Sequence, residues 1–111
     1  MNRALLLSLA AAAVLAAPGC YREVIRTFDI RVPQLKTPAA ADVVERTIRM
    51  FDTNIVVAVK ADPARQVVTV TYNSERAARR NFEQALVLAG FDANDLTADP
   101  ARKAQLPPEM Q

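Results

Sequence analysis

The side chains that carry most enzyme chemistry are scarce in this chain of 111 residues, which has no histidine, one cysteine and two glycines. Without histidine, no side chain has an ordinary pKa suited to proton transfer near neutral pH. With two glycines there is no glycine-rich loop to hold a phosphate, and the sequence offers no plausible activated nucleophile. We therefore predict that the chain is not an enzyme and that it uses no cofactor.

The thiol of Cys20 is the one reactive group whose sequence context is informative. Arg3 is followed by a stretch from 4 to 17 that is apolar apart from Ser8. A membrane-spanning helix needs about 20 apolar residues, so this shorter stretch is typical of a secretory signal peptide.

The residues Ala17-Pro18-Gly19-Cys20 resemble the bacterial lipobox, in which a signal peptidase cuts before a cysteine that carries lipid. The resemblance implies a signal peptide over 1–19 and a lipidated N-terminus with a short tether over 20–23. Ordinary secretory cleavage after residue 17 or 19, which leaves a free thiol, is the alternative. A lone cysteine in an oxidising compartment has no partner for an internal disulfide, which favours lipidation. We expect a lipid anchor at a bacterial membrane, with the chain in the cell envelope, facing the periplasm or the exterior.

The charges of the remaining chain are almost balanced. Arg3 is the one charged residue within 1–19, so 13 of the 14 basic residues and all 12 acidic residues remain after cleavage. A near-neutral chain with mixed charges gives no basis for binding nucleic acid. The expected partners are the membrane, through lipid on Cys20, and a protein of the cell envelope.

Hydrophobic periodicity predicts a small α+β domain over residues 24–96. Alternation from Val24 to Val32 predicts a strand. Thr37 before Pro38 is typical of a helix start. Two β-branched runs, 55–61 and 66–72, flank a turn sequence and predict a hairpin.

The second half of the predicted domain begins at Ser74, which we expect to cap a second helix that ends at Gly90. A last strand starting at Phe91 completes the order βαββαβ. This order predicts a ferredoxin-like sandwich, with two helices on one face of a four-stranded antiparallel sheet. The segment 97–111 shows no periodicity and is predicted to be a disordered tail. The open face of the sheet is predicted to carry Thr27, Asp29, Arg31, Lys60, Thr69 and Thr71.

Three segments together resemble the heavy-metal-associated (HMA) domain, whose family includes copper chaperones, domains of copper-transporting ATPases and a mercury carrier. The segments are Phe28-Asp29-Ile30-Arg31-Val32-Pro33, Val68-Thr69-Val70-Thr71-Tyr72-Asn73 and Ala89-Gly90-Phe91-Asp92-Ala93. The resemblance implies a metal loop between the first strand and the first helix, with the pattern Gly-Met-x-Cys-x-x-Cys. Thr37 and Ala40 occupy the two cysteine positions here, so we predict that this loop holds no metal, because Cu(I) and Hg(II) need softer ligands.

Four interpretations of the loop remain open. Thr37 can be a helix cap and nothing more, or the helix N-terminus can bind an anion or a hard ion with help from Lys36. A partner can supply metal ligands, or a free Cys20 can fold back to the loop. Our leading hypothesis is a non-catalytic interaction module in the cell envelope, with Gln34, Leu35, Lys36 and Thr37 as its possible partner surface. The alternative is a copper or mercury protein whose ligands come partly from a partner.

Overall fold

The computed structural model describes residues 24–111. The predicted signal peptide and Cys20 lie outside these residues. Within them, no helix is long and apolar enough to cross a membrane. The elements are β1 (Ile25–Arg31), α1 (Pro38–Phe51), β2 (Val56–Asp62), β3 (Val67–Asn73), α2 (Arg79–Leu88), α3 (Pro100–Lys103) and a 3-10 helix, η1 (Pro108–Met110).

The three strands form an antiparallel sheet in the order β1-β3-β2, so β3 lies in the middle. Side chains alternate along β3, with Val68, Val70 and Tyr72 buried on the inner face. β-branched residues make up most of β3, and β2 contains three valines, which favours strands in this hairpin. Asp62 Oδ1 accepts the N–H of Ala64 in the turn between them, at 3.1 Å.

The helices α1 and α2 cover the inner face and contribute further core residues. Ala40, Val44 and Ile48 recur at helical spacing on the buried side of α1. From α2, the fully buried ring of Phe82 contacts aromatic rings of the sheet and of α1. Its centroid lies 5.0 Å from that of Tyr72, 5.1 Å from that of Phe51 and 6.1 Å from that of Phe28.

The opposite face of the sheet is open and polar, as predicted. The hydroxyl oxygens of Thr27 and Thr71 lie 3.0 Å apart across β1 and β3. The hydroxyl of Thr69 donates to Asp29 Oδ1 at 2.7 Å. Such cross-strand pairs stabilise the sheet by about 0.2–1 kcal/mol each.

The prediction of a fourth strand is wrong for the part of the chain that the structure describes. After Phe91, Ala93 pairs with Leu96 in an isolated bridge, and the chain turns between them. Asn94 has a φ of 52°, in the left-handed region that asparagine tolerates. Its backbone N–H donates to Arg31 O, and its Oδ1 accepts the N–H of Arg31, each at 2.9 Å. The chain therefore meets β1 at one residue and turns away.

The prediction of a disordered tail over 97–111 is also wrong, because the segment folds onto the domain. Asp99 caps α3, with Pro100 at the first helical position. The side chains of Ala98 and Met110 are buried, and Met110 belongs to the main core. The folded unit therefore extends beyond the predicted boundary at 96.

Gly90 allows the C-terminal segment to pack closely against the end of α2. Its φ is 103°, and a Cβ there would lie 2.8 Å from the carbonyl oxygen of Arg102. Glycine therefore satisfies both the left-handed turn after α2 and the contact with α3.

The start of α2 differs from the prediction as well. The helix begins at Arg79 rather than next to Ser74, whose hydroxyl donates to Val24 O at 2.8 Å. Asn81 Oδ1 accepts the N–H of Ala78 at 2.8 Å and satisfies a backbone donor at the helix start. Ser74 thus holds the start of β1 instead of capping the helix.

The core assignment on α2 is testable with two identical substitutions. Leu86 is fully buried, whereas Leu88 is 60% exposed. We expect Leu86→Ala to lower the free energy of unfolding by about 2–5 kcal/mol, because it leaves a cavity. Leu88→Ala should change it by no more than about 0.5 kcal/mol. Chemical denaturation of both variants measures the difference, and equal effects would contradict the packing of α2.

Candidate functional site

The loop between β1 and α1 is the candidate site, because it occupies the position of the metal loop that the HMA resemblance implies. A tight turn shapes it, in which the N–H of Leu35 donates to Val32 O at 3.0 Å. Thr37 ends the loop as the N-cap of α1, in an extended conformation, with Pro38 directly after it. The predicted start of this helix is therefore confirmed.

Two of the four residues predicted as a partner surface are buried. Gln34 is 6% exposed and Leu35 is fully buried, so neither offers its side chain to a partner. Leu35 packs in the main core. Lys36 is exposed and Thr37 is half-buried. Of these four residues, Lys36 is therefore the one whose side chain is most available to a partner.

Gln34 is buried because its amide joins the loop to the chain after α2. Its Nε2 donates to Gly90 O at 2.9 Å, and its Oε1 accepts the N–H of Asp92 at 2.7 Å. Neither main-chain group has a partner in a strand. The side-chain amide of Gln34 therefore provides the hydrogen bonds that a neighbouring strand would otherwise provide. Sequence reasoning missed this role, because no local pattern reveals a partner 56 residues away.

Asp92 extends this network to the C-terminal segment. Its Oδ1 accepts the N–H of Ala98 at 2.8 Å, and its Oδ2 lies 2.9 Å from Lys103 Nζ. Burial alone would raise the pKa of Asp92, but these two partners outweigh it and lower the pKa below its ordinary value. The carboxylate is therefore ionised at neutral pH and holds α3 against the end of α2.

The two ligand positions of the loop have no soft donor. Thr37 Oγ1 already accepts the N–H of Ala40 at 3.1 Å, and Ala40 has a fully buried methyl side chain. Over residues 24–111, no three His, Cys, Asp or Glu side chains are grouped as a metal site. A hydroxyl and a methyl group do not match the ligands that Cu(I) prefers.

The geometry gives little support to the alternative in which the N-terminus of α1 binds an anion. Pro38 has no N–H, and the N–H groups of Ala40 and Ala41 are bonded to Thr37. Few backbone donors of the first turn therefore point outward beside Lys36.

A shallow groove of 340 Å³ lies at the other end of α1, against β2. This volume is at the lower limit for small-molecule sites. Its lining contains one charged side chain, so no set of polar groups converges on a ligand. The lining residues are Arg49, Thr53, Val56, Val57, Ala58 and Val59.

The role of Gln34 is testable by replacing it with leucine, which has a similar volume. We expect Gln34→Leu to lower the free energy of unfolding by about 1–3 kcal/mol, because Gly90 O and the N–H of Asp92 lose their partner. Lys36→Leu, in the same loop but exposed, is the control and should have an effect within about 0.5 kcal/mol. If denaturation gives the same stability for both variants, Gln34 does not hold the loop.

No protein-family model matches the sequence, and no curated protein sequence does. Solved structures do match the fold. An oxidised MerP from Ralstonia metallidurans CH34 is 18% identical, with a TM-score of 0.58 over 63% of this chain and 94% of that one. A CopZ metallochaperone is also 18% identical, with a TM-score of 0.56 over 61% of this chain and 98% of that one.

A third similar structure is the N-terminal domain of a potential copper-translocating P-type ATPase from Bacillus subtilis, in the Cu(I)-loaded state. It is 18% identical, with a TM-score of 0.57 over 63% of this chain and 85% of that one. At these identities the likeness establishes the fold. The resemblance to HMA domains is therefore confirmed for the architecture, in which this chain has three strands among its described residues.

Proposed function

We propose that the chain is a non-catalytic binding module with the fold of HMA domains, and that it acts by contact with another protein. The observation that carries this proposal is the loop between β1 and α1. It retains its place in the fold, but Thr37 uses its hydroxyl as a helix cap and Ala40 is a buried methyl group. The fold is thus kept while the positions of the metal ligands serve packing and capping.

The place of action in this proposal is the cell envelope. The apolar stretch before Cys20 and the lipobox-like residues around it support export and lipidation. Two or more acyl chains hold a protein stably at a membrane. The module would then meet its partner close to the membrane surface.

A second candidate function is heavy-metal binding or transfer, with ligands partly supplied by a partner. The comparisons favour this candidate over the first, because the matched structures are a MerP, a metallochaperone and a domain of a potential copper-translocating ATPase. Met50 is the exposed thioether among the described residues, at 74% exposure. It lies near the end of α1, roughly 18 Å from the loop by helix rise, so it cannot complete a site there. The remaining ligands would have to come from another chain.

Titration of the mature protein with Cu(I) under a competing chelator, together with capture of partners from solubilised envelopes, distinguishes the two functions. We expect the wild type and Thr37→Ala to bind Cu(I) equally weakly, and we expect a specific protein partner to be captured. Cu(I) binding that appears only in the captured complex supports the second function. Binding by the isolated wild type that Thr37→Ala loses would contradict the first, and capture of no partner would count against both.

The anchor is tested separately by mass spectrometry of the N-terminal peptide of the membrane-extracted protein. We expect a peptide that begins at Cys20 and carries a diacylglyceryl group and an N-acyl chain. Cys20→Ser should release the protein from the membrane fraction, because the thioether cannot form. An unmodified Cys20 in the wild type would refute the anchor.

A further inference from the structure

Among residues 24–111, the outer edge of β1, which faces away from β3, is open along most of its length. Backbone groups of Val24 and Val32 point to β3, since Val24 O accepts the N–H of Ser74 and the N–H of Val32 donates to Gln66 O. Alternation then directs the odd-numbered residues of β1 away from β3. Arg31 confirms this direction, because its N–H and C=O both bond to Asn94 on the outer side.

The outward N–H and C=O groups of Ile25, Thr27 and Asp29 are therefore available at this edge. No hydrogen bond within residues 24–111 reaches any of them. A row of free backbone groups of this kind is a template for another strand.

The other edge of the sheet is protected. Glu45 Oε1, from α1, accepts the outward N–H of Ala61 at 3.0 Å. The register of β2 shifts between Val56 and Ala58, and such a bulge twists an edge away from further pairing. β1 is thus the edge that can accept a strand.

Two arginines, Arg26 and Arg79, lie on the helix side of this open edge. Arg26 is exposed and belongs to the same alternation as Phe28. The guanidinium carbon of Arg79 lies 5.5 Å from the centroid of the Phe28 ring, in cation–π geometry. Neither arginine forms an ion pair with a residue of the described segment. A strand placed here would bring its inward side chains next to both.

We propose that a partner protein adds an extended segment to β1 as the fourth strand, with carboxylate side chains facing Arg26 and Arg79. The proposal rests on the proposed function as a protein-contact module, and it assigns the surface and the chemistry of the partner. A second copy of this chain fits less well. Antiparallel pairing of two β1 strands about Thr27 would place Arg26 of one copy opposite Phe28 of the other, and so beside its Arg79.

A synthetic peptide of alternating valine and glutamate is the probe, with a valine and lysine peptide as its control. The mature chain should bind the acidic peptide, and in NMR spectra the amide resonances of Ile25, Thr27 and Asp29 should shift most. The double variant Arg26→Glu and Arg79→Glu should weaken binding by about tenfold. Arg46→Glu, an exposed substitution on α1, should leave the affinity unchanged.

A second pair of variants tests the backbone directly. Thr27→Pro removes an outward N–H and the hydroxyl that contacts Thr71, but none of the backbone bonds to β3, and proline is tolerated on edge strands. It should abolish peptide binding, whereas Thr27→Ala, which also loses the hydroxyl, should retain it. Circular dichroism verifies that each variant is folded.

Equal binding of both peptides, or shifts at β2 instead of β1, would overturn the proposed edge. The same variants in the capture experiment separate this inference from the proposed function. If the charge-reversed protein retains the captured partner, the edge is refuted and the binding module stands. If the wild type captures no partner, the proposed function itself fails, whatever the peptide does.

Discussion

The structure depends first on the pairing of β3, because both other strands are hydrogen-bonded to it and not to each other. Its inner side chains also contribute Val68, Val70 and Tyr72 to the core that α1 and α2 cover. A disturbance of β3 would therefore separate β1 from β2 and expose the aromatic contacts of Phe82. β3 pairs with β2, which is its neighbour in sequence, and also with β1, which is distant in sequence.

Gln34 is the second constraint, and it changes the meaning of the loop in which it lies. In the resemblance to HMA domains the loop is a ligand site, whereas here its buried amide ties β1 to the end of α2. Through Asp92 and Lys103 the same network reaches the C-terminal segment. The loop thus connects two parts of the fold, and the main surface for contact with a partner lies elsewhere on the domain.

The features that the sequence predicted correctly depend on neighbouring residues. Alternation placed β1, and β-branched runs placed β2 and β3, each to within about one residue, and Thr37 with Pro38 marked the start of α1. The features that it missed depend on distant contacts. The buried amide of Gln34 bonds to Gly90, and the chain turns away from β1 at Asn94, which has a positive φ and bonds to Arg31. Met110 is buried against the main core, and its own segment has no periodic pattern that would predict this contact.

The short contact between Asn94 and Arg31 also has an evolutionary consequence. Residues in a paired strand cannot be inserted or deleted freely, because a slip of one residue moves every side chain to the other face. That restriction applies to β1, β2 and β3, but the chain after Asn94 has no register to maintain with the sheet. Its length can therefore change without shifting the sheet, as long as residues equivalent to Ala98 and Met110 are still buried and Lys103 still reaches Asp92.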